Sequence, residues 1–242
     1  MKSKSLLTLV TVLFMSVLAV NAQSVDDVVA KAITAMGGYE KVKSVKTIKM
    51  HINLEMQGQK IPITMTMKKP NMMYQEVEVQ GMKIVQAYDG KSGWSVNPMS
   101  GKTEAEATPA EMNKSMDEQA SFESKLVDYK QKGYTAELLG KDDFEGTEVF
   151  KIKLTKKEDV ITYFIDATSY LVLKERTKSV YQGKEIEADN ILSDYKSVDG
   201  YMVAHSMEAR EVDSAEGQKL IIESVELNPK VEDSLFKIPA KK

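Results

Sequence analysis

The sequence predicts a mainly β chain with a few helices, built on one antiparallel sheet curled around its own apolar face. Three observations predict it. Apolar residues alternate with polar ones at period two through most of the chain. Short turns separate the alternating runs and no strand–helix–strand rhythm appears, which favours an antiparallel meander over a parallel sheet. Only two stretches carry an apolar stripe at helical spacing.

The chain opens on Lys2 and Lys4. An apolar run over 6–19 follows, broken only by Thr8, Thr11 and Ser16, and Val20-Asn21-Ala22 places compact residues at the −3 and −1 positions of a cleavage site. The run is shorter than the roughly 20 residues a membrane span needs. Residues 1–22 are therefore expected to be a cleaved export signal, with Gln23 as the new N-terminus and 23–242 as one domain. No cysteine follows the run, so an anchor through an N-terminal lipidated cysteine is excluded.

Ser24 suits a helix N-cap, Asp26 and Asp27 suit the first turn, and Gly37-Gly38 suits the stop. Between them Val25, Val28, Val29, Ala32, Ile33 and Met36 share one helical face. The period then switches to two. Ile48, Met50, Ile52, Leu54 and Met56 alternate with polar residues, a turn at 57–59 reverses the chain, and Ile61, Ile63, Met65 and Met67 return. Strands are expected next at 73–79, 82–88 and 93–96, divided by Gly81 and Asp89-Gly90. Thr108-Pro109-Ala110-Glu111 has the form of a capping box with proline at the first helical position, opening a helix with Met112, Met116 and Ala120 on one face. After Leu126 the β pattern resumes, at 150–154, 160–165, 171–174, 186–192, 201–207 and 220–227.

Area arithmetic says what such a sheet does. About ten strands at ~4.8 Å spacing span about 48 Å. Two helices, each about 10 Å across and ~18 Å long, do not cover that width laid flat. The sheet must curl, and its interior is either an apolar cavity or filled by the sheet's own side chains. Ten of the fifteen methionines lie between Met50 and Met116, and this flexible, polarizable side chain suits a lining for variable apolar partners.

Composition removes several chemistries. The chain of 242 residues has no cysteine, which excludes disulfides, thiolate metal sites and cysteine nucleophiles. A net charge of −3 carries none of the basic excess of a nucleic-acid binder. Its two histidines stand apart: His51 on the polar phase of its strand, His205 beside Ser206, whose side chain points to the opposite face. No G-x-S-x-G, H-E-x-x-H or P-loop pattern occurs. No catalytic residue, metal ligand or cofactor is expected. Besides an apolar carrier, an exported interaction module using a sheet edge and a lipid or glycan hydrolase remain as alternatives.

Lys68-Lys69-Pro70-Asn71-Met72-Met73, followed by Tyr88-Asp89-Gly90-Lys91-Ser92-Gly93-Trp94-Ser95-Val96-Asn97-Pro98, resembles the periplasmic lipoprotein carrier LolA and its relatives. The closing Leu227-Asn228-Pro229 and Leu235-Phe236-Lys237-Ile238-Pro239 resemble that family's C-terminal end. The resemblance implies an incomplete β-barrel with helices over an apolar cavity, and a periplasmic, monomeric carrier. It would pass acyl chains of lipoproteins or lipids toward the outer membrane, with transfer partners at both membranes. The expected lining is Met50, Ile52, Leu54, Ile63, Met65, Met67, Trp94, Met112 and Met116. The family ties its lid with an arginine just before the proline. Here Lys69 holds that position and is the expected lid contact, although an ammonium does not make the planar bidentate contact of a guanidinium.

Overall fold

The computed structural model describes residues 23–240 apart from 57, 182, 183, 213, 215 and 216. The expected export signal lies outside the described residues, as does Gln57 of the first hairpin turn. Helices α1 (Val25–Ala35) and α2 (Tyr39–Ser44) precede six strands: β1 (Thr47–Met56), β2 (Gln59–Lys68), β3 (Met72–Val79), β4 (Met82–Tyr88), β5 (Gly93–Asn97) and β6 (Lys102–Ala107). Helix α3 (Ala110–Gln119) and a run of turns follow. Seven strands complete the chain: β7 (Thr135–Phe144), β8 (Thr147–Lys156), β9 (Asp159–Asp166), β10 (Val172–Tyr181), β11 (Lys184–Val198), β12 (Tyr201–Glu211) and β13 (Gln218–Leu227).

All thirteen strands form one curved, open sheet in the order β6-β5-β4-β3-β2-β1-β13-β12-β11-β10-β9-β8-β7, and each pairing is antiparallel. The chain starts in the middle, meanders to one edge, crosses to the other and meanders back until β13 pairs with β1. That order has a consequence. The connection from β6 to β7 must traverse the whole sheet, roughly 60 Å of strand spacings if it lay flat. Residues 108–134 make the crossing on the inner face, and they therefore become its cover.

Helix α1 begins as its sequence dictates. Ser24 Oγ accepts the Asp27 N–H at 3.1 Å and the Asp27 carboxylate accepts the Ser24 N–H at 3.2 Å, a reciprocal capping box. Its end is pinned at Gly37, whose φ is +117° and where an added Cβ would lie 2.3 Å from the Gly200 carbonyl oxygen. Only glycine allows that approach. The Met202 N–H donates to the Met36 carbonyl at 3.1 Å, docking the helix on the β11–β12 turn.

Val28, Val29 and Ala32 of α1 enter a cluster with Ile152, Leu154, Ile165, Val172, Leu126 and Tyr163, all buried. Helix α3 seats Met116 and Ala120 against Ile48, Met67, Met73 and Tyr88 on the other half. It reaches β5 because Gly93 has no side chain: a Cβ there would meet Thr108 Oγ1 at 2.5 Å and Met116 Sδ at 2.6 Å.

Three expectations need correction. The sheet has thirteen strands, not about ten. The unforeseen edge strands β6 and β7 are mostly exposed and rich in charge, and the alternation in β7 is carried only by Ala136 and Leu138, too short a run to mark a strand. The connecting turn after α1 contains the short helix α2. The capping box at Thr108 is not formed. Pro109 occupies the N-cap without a side-chain bond, and the Thr108 hydroxyl donates to Asn113 Oδ1 at 2.5 Å, an oxygen that also accepts the Gly93 N–H at 2.9 Å.

Candidate functional site

Helix α1 fills the inner face over β8–β10 and α3 fills it over β3–β5. Neither covers the centre. There lies an apolar cavity of about 550 Å³, between β1, β2 and β10–β13 on one side and residues 118–124 on the other. Ile48, Met50, Ile52, Met65 and Met67 form one wall; Leu192, Val203, Met207, Leu220 and Ile222 form the other. Its size falls within the usual range for small-molecule sites.

The structure gathers four of the residues expected to line it, Met50, Ile52, Met65 and Met67. It places the others elsewhere, each for a plain reason. Leu54 and Ile63 continue the same apolar face past the cavity, packed with Ile52 and Ile222 near the hairpin end. Met116 is 2% exposed because it fills the space beneath α3. Met112, 42% exposed, lies one turn before Met116 on the same face, in the first turn of α3, and stays largely in solvent. Trp94 follows Gly93, which faces α3, so its ring projects to the outer face. There its Nε1–H donates to the Phe236 carbonyl at 3.0 Å and clasps the C-terminal segment.

The roof is held by charge. Glu123 accepts from Lys69 Nζ at 2.6 Å, lies 3.0 Å from Lys132 Nζ and 3.4 Å from Lys43 Nζ, and its side chain is only 11% exposed. Burial opposes the charge, but the hydrogen bonds from Lys69 and Lys132 outweigh it and hold the carboxyl down to about 2. Lys69 also donates to the Val42 carbonyl at 3.4 Å and stands 5.6 Å over the ring of Phe122, a residue of the cavity wall. One ammonium thus ties α2, the β2–β3 corner and the covering segment together.

A second, smaller space of about 230 Å³ adjoins the cavity under residues 121–125 and shares Ser121, Phe122, Ser124, Glu175 and Tyr201 with it. Glu175 was not foreseen. Period two marks which residues share a face, but β10 carries an irregularity between Val172 and Lys174 that blurs it. On β11 the inward set passes from Asn190 and Leu192 to Tyr195 at Asp194, whose φ is +51°. No sequence signal marks that shift.

Among the described residues, no group of three or more His, Asp or Glu side chains could hold a metal ion. His51 is exposed beside Thr64 Oγ1 at 3.2 Å, and His205 is buried with Nδ1 3.0 Å from the Val203 carbonyl oxygen. No helix among them is long and apolar enough to cross a membrane.

An open, curved antiparallel sheet with helices across its inner face is the LolA-like fold, and solved structures share it. A DUF1329 family protein from Desulfovibrio piger superposes with a TM-score of 0.58 at 12% identity, over 88% of this chain and 97% of that one. A LolA superfamily protein from Nitrosomonas europaea gives 0.58 at 11% identity, over 88% and 96%. A putative outer membrane lipoprotein-sorting protein domain from Vibrio parahaemolyticus gives 0.54 at 15%, over 87% and 94%. The chain belongs to the family of LolA-like fold whose model, described as "-like: Uncharacterized protein", matches residues 67–240. No curated protein matches the sequence.

Proposed function

We propose that residues 23–242 act as one lipid-binding domain, a non-catalytic carrier outside the cytoplasm that holds the acyl chain of a lipid or lipoprotein for transfer toward the outer membrane. The observation that carries this is the cavity itself: about 550 Å³ lined largely by Met, Leu, Ile and Val, beside a sheet region where α1 packs closely onto β8 and β9. Apolar walls favour a hydrocarbon guest by about 25 cal/mol per Å² removed from water. The methionine side chains of β1 and β2 adapt to chains of differing length. The export signal read at residues 1–22 supports the compartment.

In this reading Lys69 is the latch. Its bonds to Glu123 and the Val42 carbonyl hold Phe122 and the 118–124 segment over the cavity, so opening requires separating these contacts. The test is mass spectrometry of organic extracts from natively purified protein, with titration of the delipidated protein by a fluorescent acyl probe. Extracted acyl lipids and saturable probe binding are expected. Absence of both overturns the carrier.

A further inference from the structure

Strands β10 and β11 treat their two faces differently. On the outer face Asp189 accepts two bonds from Arg176, at 2.7 and 2.8 Å, with Lys174 Nζ at 3.9 Å. That charge is fully matched. On the inner face Glu175 and Asn190 are direct register partners, adjacent across the same two strands and both in the wall of the apolar cavity. Among the described residues neither side chain has a hydrogen-bond partner. Both are partly exposed into the cavity, where a carboxyl and an amide with no protein partner are free to bond a ligand's polar group.

We propose that Glu175 and Asn190 bind the carbonyl group of the acyl ligand: the protonated Glu175 carboxyl and the Asn190 amide both donate to it, while the hydrocarbon tail fills the cavity. The inference rests on the carrier reading and names the polar feature that the cavity selects. Glu175 lies where the apolar cavity meets the smaller space under residues 121–125, whose walls include Ser121, Ser124 and Thr177. The boundary between tail and head group of a single-chain amphiphile falls at that position.

The proton on Glu175 is set by its surroundings. Burial pushes the carboxyl up to about 7, and Lys125 in the covering segment only partly opposes this. The other titratable groups around it are Tyr163, its register partner on β9, Tyr195 on β11, Tyr201 on β12, Glu118 at the end of α3 across the cavity, and Glu123 in the cover. The three hydroxyls are all raised above the usual phenol range, burial being the largest cause, and stay neutral. Glu123 stays ionised and held by its lysines. Glu175 is therefore the group that changes charge near neutral pH. Once ionised it no longer donates, and a carboxylate repels a carbonyl oxygen. The ligand is held below pH 7 and loosened above it.

Two ligands that differ only in the carbonyl test this: 1-monopalmitoylglycerol, an ester, and 1-O-hexadecylglycerol, its ether. Calorimetric titration at pH 6 and pH 8 is expected to show the ester bound about tenfold more tightly than the ether at pH 6. That preference should collapse at pH 8. Glu175→Gln, which donates at every pH, is expected to keep the preference at both, and Glu175→Leu to lose it at both. The carbon-13 signal of the Glu175 carboxyl in the parent protein gives a readout independent of variant folding. Its titration midpoint should rise on adding ester and not on adding ether. A dipalmitoylated lipopeptide bound with the same pH dependence assigns the carbonyl to a lipidated chain, and its exclusion assigns it to a free lipid. Equal ester and ether affinity at pH 6, or a pH slope that survives in Glu175→Gln, overturns the carbonyl contact alone. Failure of the parent protein to bind either ligand overturns the carrier as well.

Discussion

The two halves of the inner face share one backbone plan and differ in what lies on them. Over β8 and the adjoining part of β9, the side chains of α1 and of residues 126–134 interlock with Ile152, Leu154 and Ile165, and the open space begins only toward β10. Over β1, β2 and β11–β13, equally apolar side chains such as Met50, Leu192, Met207 and Leu220 stay only partly buried around the cavity. The difference teaches that an apolar sheet face does not specify a core. A packed core needs a second element pressed onto it, and helices of eleven and ten residues, set toward opposite sides, leave the middle of thirteen strands uncovered.

Mutations can break that contrast or sharpen it. The largest effect is expected in the closed half, where Leu154→Ala should cost about 2–5 kcal/mol in urea denaturation, because the cavity it leaves has no way to collapse. Met65→Ala, made in a wall that already faces open space, should cost under about 1 kcal/mol. Equal losses would erase the distinction between the halves.

Acid comes next. Glu123 is held at about 2 against an ordinary 4.5. A depressed acid stabilises the fold above its unfolded pKa and loses that contribution as pH falls through its folded one. About 3 kcal/mol should therefore fade between pH 4.5 and 2. Glu123→Gln should flatten this part of the stability–pH curve, as followed by circular dichroism.

Lys69→Leu should cost about 1.5–3 kcal/mol through the lost bonds to Glu123 and Val42. It should also speed release of an acyl probe in stopped-flow fluorescence while leaving the far-ultraviolet spectrum unchanged. Unaltered release would remove Lys69 from the latch. Met65→Glu should lower stability by only about 1 kcal/mol, since water can enter the cavity and solvate the charge, yet abolish probe binding. Met112→Ala should change neither, because its side chain is 42% exposed in the first turn of α3 and outside the cavity wall.

Much of this protein was determined by its sequence alone. The Ser24–Asp27 box, the strand phases of β1 and β2 and the antiparallel meander are local matters, set by residue type and by a period of two that the pleat imposes. The position of Lys69 before Pro70 was also legible, through resemblance. The rest was decided in three dimensions. Strands β6 and β7 bury so little that at most the short Ala136–Leu138 alternation marks them. The inward phase on β11 shifts at the positive φ of Asp194, which no pattern of residue types records. Trp94 faces outward because Gly93 was needed beneath α3. Glu175 becomes a cavity residue only when β10 pairs with β11 and the crossing of residues 108–134 stops short of covering them. Periodicity reports which side chains share a face. What covers that face depends on contacts between residues far apart in the chain, and here those contacts left the centre open.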